Sequence, residues 1–371
     1  MHPMTVSVFI LGLFFSLSPA LAEFGPEHYH TKWRLPPFQT AIVAKGSAPI
    51  KALKSLPPNE AQSFPLLKDA EALIQNKPVL ALLLIDENNR LVFESYAKGA
   101  QKDALLVGHS MSKSIASILI GQFLCEGSIH ALTDRAETYS KSLQATAYGD
   151  ATIRDLLMMA SSGSVAVQAG QPEERFNHDL MVTHKRSLKE ALIEFGRNQK
   201  NPAPKGSFSY KGLDTVALSF VLSEIKKEKY QKIISDHLWT KIGAEKNAEI
   251  VIDKNQDGLA QSGFGATARD WARLAIFVRD NAKTNSCYGN YLKDATRGQI
   301  ANHSSHGPSF LKYGYQFWTD NKYISAKTAW FNGYGGQLIG MDLESGKIIV
   351  LLSYATGGVI DTYKLFNRWT Q

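Results

Sequence analysis

The sequence predicts an α/β (α+β) fold, with an antiparallel sheet built from both chain ends, flanking helices and an inserted helical region. Segments with the composition and spacing of β-hairpins lie at residues 79–97 and 338–354. Between them, apolar residues recur at intervals of three and four, which is typical of amphipathic helices. A chain of 371 residues is long enough for one large domain or two intimately packed ones.

The composition is that of an ordinary globular protein. Hydrophobic residues make up 44%, charged residues 20% and aromatic residues 10%, which excludes a disordered, collagen-like or coiled-coil chain. The 41 Lys and Arg residues outnumber the 34 Asp and Glu residues, giving a net charge of +7. Because no basic run is longer than a pair such as Lys226–Lys227, scattered surface lysines explain this charge better than nucleic-acid or membrane binding.

Residues 1–22 are typical of a cleaved export signal. The apolar stretch from Val6 to Leu17 is too short to span a bilayer comfortably, and Ala20 and Ala22 supply the small residues that a signal peptidase reads. We therefore expect cleavage before Glu23 and an exported protein, periplasmic or secreted, without a membrane span.

Residues 23–75 are expected to form an irregular N-terminal segment over the surface, because Pro-Pro pairs interrupt it. The chain has two cysteines, Cys125 and Cys287. They could pair in an oxidising compartment, but Cys125 ends an apolar helix, where a buried free thiol is more usual. The sequence leaves both states open.

The remaining elements follow in order along the chain. Residues 79–85 and 91–97 form the first predicted hairpin, and an apolar helix is expected from Ser110 to Leu124. Apolar stripes and capping boxes predict further helices that begin at Thr152, near Leu188, near Leu213 and at Thr267. A second hairpin at 338–343 and 347–354 precedes a closing helix from Asp361 to Trp369.

The residues most suited to chemistry are Ser110 and Lys113. The Ser-x-x-Lys spacing also occurs at Ser95, Ser223 and Ser309, but only Ser110 stands directly before a long apolar helix. A spacing of three on a helix places both side chains on one face, and the positive end of the helix dipole then lies where an oxyanion would form. Burial there would lower the pKa of Lys113, as a general base requires.

Several segments resemble one family in the same order. The stretch Ser110-Met111-Ser112-Lys113-Ser114 resembles the nucleophile motif of serine β-lactamases and penicillin-binding proteins, most closely the class C-like branch with family VIII esterases and 6-aminohexanoate-dimer hydrolases. Residues 152–163 and 263–274 resemble two further blocks of that branch. The resemblance covers about residues 78–370 and implies a β-lactamase/transpeptidase-like catalytic domain over 76–371, with its helical region at about 126–255.

The resemblance also implies further site residues. Tyr210, in Phe208-Ser209-Tyr210-Lys211-Gly212, matches the tyrosine of a Tyr-x-Asn or Tyr-x-Ser motif, which would share the proton of Lys113 and relay it to the leaving group. Gly212 stands where that motif has a side chain that touches substrate.

Residues 331–337 resemble the family's substrate strand, so the resemblance implies that Gly333, Tyr334 and Gly336 line the site. The resemblance also implies that the backbone N–H groups of Ser110 and of a residue near Tyr334 form the oxyanion hole. Phe331 stands where a lactamase has a lysine that grips the substrate carboxylate. Together with Gly212, this departure argues against an efficient β-lactamase.

The sequence as a whole predicts an exported serine hydrolase that cleaves a small ester, amide or peptide-like substrate through an acyl-enzyme. No metal or organic cofactor is implied, because the chain has no phosphate loop or dinucleotide fingerprint, and His303 and His306 are interpreted as loop residues. Two alternatives stay open: a penicillin-recognising β-lactamase or D-alanyl-D-alanine peptidase, and a catalytically silent pseudo-hydrolase that binds peptide or cell wall.

Overall fold

A computed structural model of the protein describes residues 25–57, 59–60, 64, 66–163, 179–197, 202 and 204–371. The predicted signal segment, residues 1–22, lies outside these ranges. Within them, every helix is too short or too polar to cross a bilayer.

The described ranges contain a run of helices in the middle of the chain and strands on both sides of it. The helices are α1 (Pro26–His30), α2 (Leu67–Asn76), α3 (Lys113–Cys125), α4 (Ala147–Asp150), α5 (Ile153–Leu157), α6 (Leu188–Arg197), α7 (Gly212–Lys226), α8 (Tyr230–Ile234), α9 (Ala268–Ala282), α10 (Cys287–Ala295) and α11 (Val359–Thr370). The strands are β1 (Gln39–Val43), β2 (Lys54–Ser55), β3 (Val79–Ile85), β4 (Arg90–Tyr96), β5 (Leu106–Val107), β6 (Ala248–Ile252), β7 (Phe264–Ala266), β8 (Ile300–Ala301), β9 (Phe310–Tyr313), β10 (Trp318–Asn321), β11 (Thr328–Gly333), β12 (Gln337–Asp342) and β13 (Ile348–Ser353).

The main sheet confirms the predicted architecture, because strands from both chain ends meet at its centre. It has nine strands in the order β2-β4-β3-β13-β12-β11-β10-β9-β8. Strands β3 and β13 pair antiparallel, with Leu82 opposite Leu351, and both strands are buried along their whole length. Their near-continuous apolar sequence fits a strand that is covered on both faces.

Helices cover the two faces of this sheet. Helix α11 buries Tyr363, Phe366 and Trp369 on one face, where Tyr363 and Phe366 pack edge-on against Trp330 of β11. Helix α9 packs against β3, β12 and β13. Helix α3 is buried from Lys113 to Gly121 and lies between α7 and α10, so it forms the axis of the helical region.

The N-terminal segment is more ordered than the sequence predicts. Strand β1 pairs with β6 in a four-stranded sheet, β1-β6-β7-β5. Trp33 is buried beside Gly265, and its indole N–H donates to the carbonyl of Leu105 at 3.1 Å. The prolines do divide this segment into short pieces, but large aromatic side chains between them bury enough apolar area to fix the pieces against the core.

The two cysteines form a disulfide, with Cα atoms 5.8 Å apart. Cys125 is the last residue of α3, and Cys287 is the first residue of α10. The bond therefore joins two helices that already pack together, and the buried free thiol that the sequence also allowed at Cys125 is not found.

Most local predictions of the sequence are confirmed. Both hairpins form, and Thr152 begins α5 with a complete capping box. The second predicted box is only half present: the hydroxyl of Thr267 accepts the N–H of Asp270, but the Asp270 carboxylate instead accepts the N–H groups of Glu245 and Lys246. A tertiary contact has replaced the local one.

Candidate active site

A short 3-10 turn, His109–Ser112, holds Ser110 at the N-terminal end of α3. The α-helix itself begins at Lys113, three residues later than the sequence predicts. The hydroxyl of Ser112 fixes the turn, since it donates to the carbonyl of His109 at 2.6 Å and accepts the N–H of Phe264 at 3.1 Å. His109 adopts a left-handed conformation, with φ 45°, which places Ser110 where the turn enters the helix.

Ser110 and Lys113 are in direct contact. The Lys113 ammonium group donates to Ser110 Oγ at 2.9 Å and to the backbone carbonyl of Gln261 at 2.6 Å. Only 4% of Lys113 is exposed, and this burial lowers its pKa from 10.5 to about 7. A substantial fraction of the amine is therefore neutral near pH 7 and can accept the Ser110 proton.

Tyr210 completes the predicted group. The Nζ atom of Lys113 lies 5.0 Å from the centre of the Tyr210 ring, so the two side chains meet over the ring face. Burial raises the pKa of Tyr210 above its usual range, and a side-chain hydrogen bond with Ser110 opposes this rise. The structure thus brings Ser110, Lys113 and Tyr210 together, with a protonated phenol beside the serine.

Aromatic rings surround Tyr210. The rings of His306 and Trp318 both lie 5.2 Å from that of Tyr210, at tilts of 31° and 37°. Burial and the positive charge of Lys113 lower the pKa of His306. Sequence reasoning missed His306 as a site residue, because it lies far beyond Tyr210 in the chain, in a loop without a motif.

The 302–307 loop that carries His306 is held by its own polar groups. The side-chain amide of Asn302 donates to the carbonyls of His306 at 2.9 Å, Gly307 at 3.3 Å and Phe310 at 3.0 Å. Gly307 has φ 54° and lies on Trp318, where a Cβ would come within 2.5 Å of the indole ring. The loop therefore presents His306 in a fixed position.

The predicted substrate strand ends beside the His109–Ser112 turn, which carries the predicted nucleophile Ser110. A Cβ at Gly333, the last residue of β11, would lie 2.2 Å from the carbonyl oxygen of Gly108. Tyr334 is 39% exposed, and its ring meets the ring of His109 at 5.8 Å. Gly336 follows in the same turn with φ 83°. Gly333 and Tyr334 therefore border the turn that carries Ser110. A Cβ at Gly336 would instead meet Ala355, Val359 and Ser353.

Phe331 is enclosed in the apolar core. It is fully buried and packs edge-on against Phe317 at 5.0 Å. The position that carries a substrate-gripping lysine in the lactamases thus belongs to the core of this protein, and its side chain contributes no charge to the site.

A buried polar cluster fastens the start of α7, next to Tyr210. The Asp214 carboxylate accepts the Ser161 hydroxyl at 2.5 Å and lies 3.4 Å from the ammonium group of Lys211. Burial raises the pKa of Asp214, while Lys211 and Ser161 oppose this rise. This cluster ties the segment after α5 to the segment that carries Tyr210.

The N-terminal segment packs behind the His109–Ser112 turn through His28 and Tyr29, which we call the wall of the site. The ring of His109, only 1% exposed, stacks on His28 at 6.2 Å and meets Tyr29 edge-on at 5.3 Å. Burial lowers the pKa of His109 to about 3, so this imidazole is neutral at physiological pH. No sequence pattern points to this wall, because it comes from a segment predicted to be irregular. Among the described residues, no three potential metal ligands converge there or elsewhere.

One protein family matches most of the chain. The family model described as Beta-lactamase matches residues 70–366. A curated relative, the 6-aminohexanoate-dimer hydrolase of Paenarthrobacter ureafaciens, is 25% identical over 218 residues, or 58% of this chain and 55% of the relative. The chain thus matches about half the length of that curated relative.

Solved structures share the fold. A Bacillus anthracis protein assigned as a 6-aminohexanoate-dimer hydrolase aligns with a TM-score of 0.68 and 21% identity, over 92% of this chain and 91% of that chain. EstCE1, a hydrolase with promiscuous acyltransferase activity, aligns with a TM-score of 0.68 and 15% identity, over 84% of this chain and 99% of that chain. At these identities the likeness concerns the fold alone, and it agrees with the predicted architecture.

Proposed function

Because the chain belongs to the beta-lactamase family, we propose that it is a serine hydrolase that cleaves a small ester or amide through an acyl-enzyme. One observation carries the proposal: Ser110 Oγ is hydrogen-bonded to a buried lysine whose pKa is lowered to about 7. A serine paired with an amine that is partly neutral at working pH has the base that an attacking hydroxyl needs.

The reaction follows from these positions. Neutral Lys113 takes the Ser110 proton as Oγ attacks the substrate carbonyl carbon, and the backbone N–H groups of Ser110 and of a residue near Tyr334 bind the resulting oxyanion. The proton then passes, with Tyr210, to the leaving oxygen or nitrogen as that bond breaks. Water attacks the acyl-enzyme with Lys113 again as base, and the proton it loses returns to Ser110 as the acid product leaves.

Positions 212 and 331 differ from the motifs of the β-lactamases, and both differences favour an ester or a linear amide over a β-lactam as substrate. Phe331 is buried in the core and offers no cation for a substrate carboxylate, and Gly212 offers no side chain to a substrate amide. The name of the curated relative, a 6-aminohexanoate-dimer hydrolase, supports a linear amide substrate.

We also propose that the protein is exported, with cleavage before Glu23. The apolar run at residues 6–17 and the Cys125–Cys287 disulfide support this, since disulfides persist mainly in oxidising compartments. Intact mass of the protein recovered from a periplasmic extract or the culture medium tests the proposal. A product that begins at Met1 would contradict it.

Covalent labelling tests the catalytic assignment. We expect a fluorophosphonate to add one phosphonyl group to the wild type and none to Ser110→Ala, as measured by intact mass. Nitrophenyl-ester turnover should be lost in both Ser110→Ala and Lys113→Ala. The matched control is Ser223→Ala, which alters another Ser-x-x-Lys pair of this chain and should keep labelling and turnover.

Penicillin separates the alternatives in the same experiment. A stable stoichiometric penicillin adduct would favour a penicillin-recognising enzyme. A wild type that is folded by circular dichroism yet neither labels nor turns over any ester or amide would contradict the proposed function and favour a catalytically silent binding protein.

A further inference from the structure

The gap that Gly212 leaves beside the catalytic group is filled by another side chain. A Cβ at Gly212 would lie 3.0 Å from Cγ and 3.1 Å from Cβ of Gln261. The Gln261 side chain therefore occupies the space into which a residue at position 212 would extend. Gln261 lies on the segment between β6 and β7, far from Gly212 in sequence.

Gln261 is anchored at the reacting centre by its backbone. Its carbonyl oxygen accepts the Lys113 ammonium group at 2.6 Å, the shorter of the two hydrogen bonds that this ammonium group makes to Ser110 and Gln261. The next residues are fixed as well: the N–H groups of Ser262 and Gly263 both donate to the carbonyl of Leu259, at 3.2 and 2.9 Å. The Gln261 side chain therefore starts beside Lys113, whose proton must pass to the leaving atom in the proposed mechanism.

The Gln261 carboxamide has unused hydrogen-bonding capacity. Its Oε1 atom is buried, and within the described ranges of the chain no donor reaches it. A buried acceptor without a donor costs about 1–3 kcal/mol, and a substrate N–H that donates to it would remove that cost.

We propose that the Gln261 carboxamide accepts the N–H of a scissile secondary amide, and that this contact makes the enzyme an amidase in preference to an esterase. The inference rests on the proposed function, because it uses the same Ser110 acyl transfer. It also assigns to Gln261 the amide contact that Gly212 cannot make.

The chemistry of the leaving nitrogen supports this choice. After Ser110 attacks an amide, the nitrogen must direct its lone pair toward the protonated Lys113 and Tyr210 before the C–N bond can break. An N–H held by Gln261 Oε1 fixes that orientation. An ester places an oxygen at the same position, so two acceptors face each other and the contact is lost.

The test compares substrates with one acyl group and three leaving groups: a 4-nitroanilide, its N-methyl derivative and a 4-nitrophenyl ester. We expect Gln261→Met, which keeps the length but removes the amide, to lower kcat/KM for the 4-nitroanilide about tenfold to hundredfold. The two substrates that lack an N–H should change by less than about threefold, so the anilide-to-ester ratio falls.

A reciprocal exchange provides the matched control. Gly212→Asn alone should impair activity, because its side chain meets Gln261. In the double variant Gly212→Asn with Gln261→Ala, the space that the Gln261 side chain occupied is free, and the Asn side chain supplies a carboxamide from position 212. We expect the kcat/KM of this double variant for the 4-nitroanilide to be at least tenfold higher than that of Gln261→Ala.

The outcomes are distinguishable. Equal losses on all three substrates in Gln261→Met, or no loss on any, would overturn the Gln261 assignment while fluorophosphonate labelling of Ser110 upheld the proposed function. Absence of labelling in folded wild type would overturn both. Circular dichroism and labelling stoichiometry of each variant separate a loss of contact from a loss of fold.

Discussion

Lys113 is buried without a carboxylate partner. Among the ion pairs of the described residues, none includes Lys113; its neighbours are the Ser110 hydroxyl, the Gln261 carbonyl and the Tyr210 ring. Burial therefore acts on its charged form almost unopposed, and it lowers the pKa to about 7. The same property that suits Lys113 to the proposed role of base makes it a source of instability, and both effects can be measured.

The pH dependence of activity should report the Lys113 titration. Because the neutral amine is the reactive form in the proposed mechanism, we expect kcat/KM to rise with pH up to about 7 and then level off. Tyr210, whose pKa is raised, stays protonated over this range. Ester turnover from about pH 5 to 9, with a parallel check that the protein stays folded, measures the profile. A plateau that already begins near pH 5 would contradict the role of Lys113.

Replacing Lys113 should stabilise the protein while it abolishes turnover. An unfolded lysine binds its proton below about pH 10.5, whereas the folded one releases it near 7, so the wild type loses stability as pH falls from 10.5 to 7. We expect Lys113→Met to raise the free energy of unfolding by about 2–4 kcal/mol at pH 7 and by about 1 kcal/mol at pH 10. Urea denaturation at both pH values measures this, with the exposed Lys189→Met as control. A variant that is less stable than wild type at pH 7 would refute the argument.

His306 should act by positioning Tyr210. Its flat ring packs on Tyr210 from the fixed 302–307 loop. We expect His306→Ala to lower kcat for an ester about tenfold, because Tyr210 gains freedom, and His306→Phe to stay within about threefold of wild type. Separate kcat and KM values measure this. If phenylalanine is as harmful as alanine, the imidazole nitrogens matter rather than the ring.

At the level of the elements, α3 and α10 form a close helix contact behind the site. A Cβ at Gly121 would lie 2.2 Å from the ring of Tyr291, whose hydroxyl donates to the Ser117 carbonyl at 3.0 Å. The Cys125–Cys287 disulfide closes the same interface at one end. Because α3 carries Lys113 in its first turn, this interface also holds the proposed base in place.

Removing the disulfide should therefore weaken the fold more than the site. We expect Cys125→Ser with Cys287→Ser to lower the free energy of unfolding by about 2–4 kcal/mol, since a cross-link between distant residues restricts the unfolded chain. Fluorophosphonate labelling at room temperature should persist. Urea denaturation of wild type with and without a reducing agent provides the control, and equal stability of oxidised and reduced wild type would contradict the prediction.

The elements that could be predicted are those specified by local pattern. The hairpins at β3–β4 and β12–β13 follow from apolar composition and turn residues, and the Thr152 box follows from a spacing of three. Elements that depend on distant partners could not be predicted. Strand β1 exists because β6 pairs with it, and Asp270 leaves its local cap because the backbone of Glu245 and Lys246 lies within reach.

The residues of the candidate site also fall into two groups: those that a local pattern identifies and those that only distant contacts bring together. Ser110 and Lys113 could be identified because one motif contains both, and Tyr210 because its segment resembles a family motif. His306 and Gln261 lie about 195 and 150 residues beyond Ser110, and only the fold brings His306 to Tyr210 and Gln261 to Lys113. No local pattern can specify such a contact, which is why neither residue was part of the predicted site.

For the whole molecule, the sheet cannot form until the C-terminal residues are present. Strand β3 pairs with β4 on one side and with β13 on the other, and α11 covers the face that holds Trp330. The central pairing thus joins residues more than 250 positions apart. Contacts of this range are typical of domains that fold slowly and cooperatively.

Removing α11 should prevent folding. We expect a chain that ends at Gly358 to lack a cooperative urea transition and to give no fluorophosphonate label, because the apolar surface under Tyr363, Phe366 and Trp369 would face water. The milder Phe366→Ala should fold and lose about 3–5 kcal/mol. A truncated chain that labels like wild type would show that the helix is dispensable.

The wall formed by the N-terminal segment limits which shorter fragments of the protein can be expected to be active. A fragment cut to the family match, residues 70–366, would omit Tyr29 and Trp33, which lie against Gly335 and Gly265. It would also lose β1 and part of α11. An inactive fragment of that design would reflect missing support for the site rather than missing chemistry, so recombinant work should retain every residue from Glu23 onward and place any affinity tag at the opposite terminus.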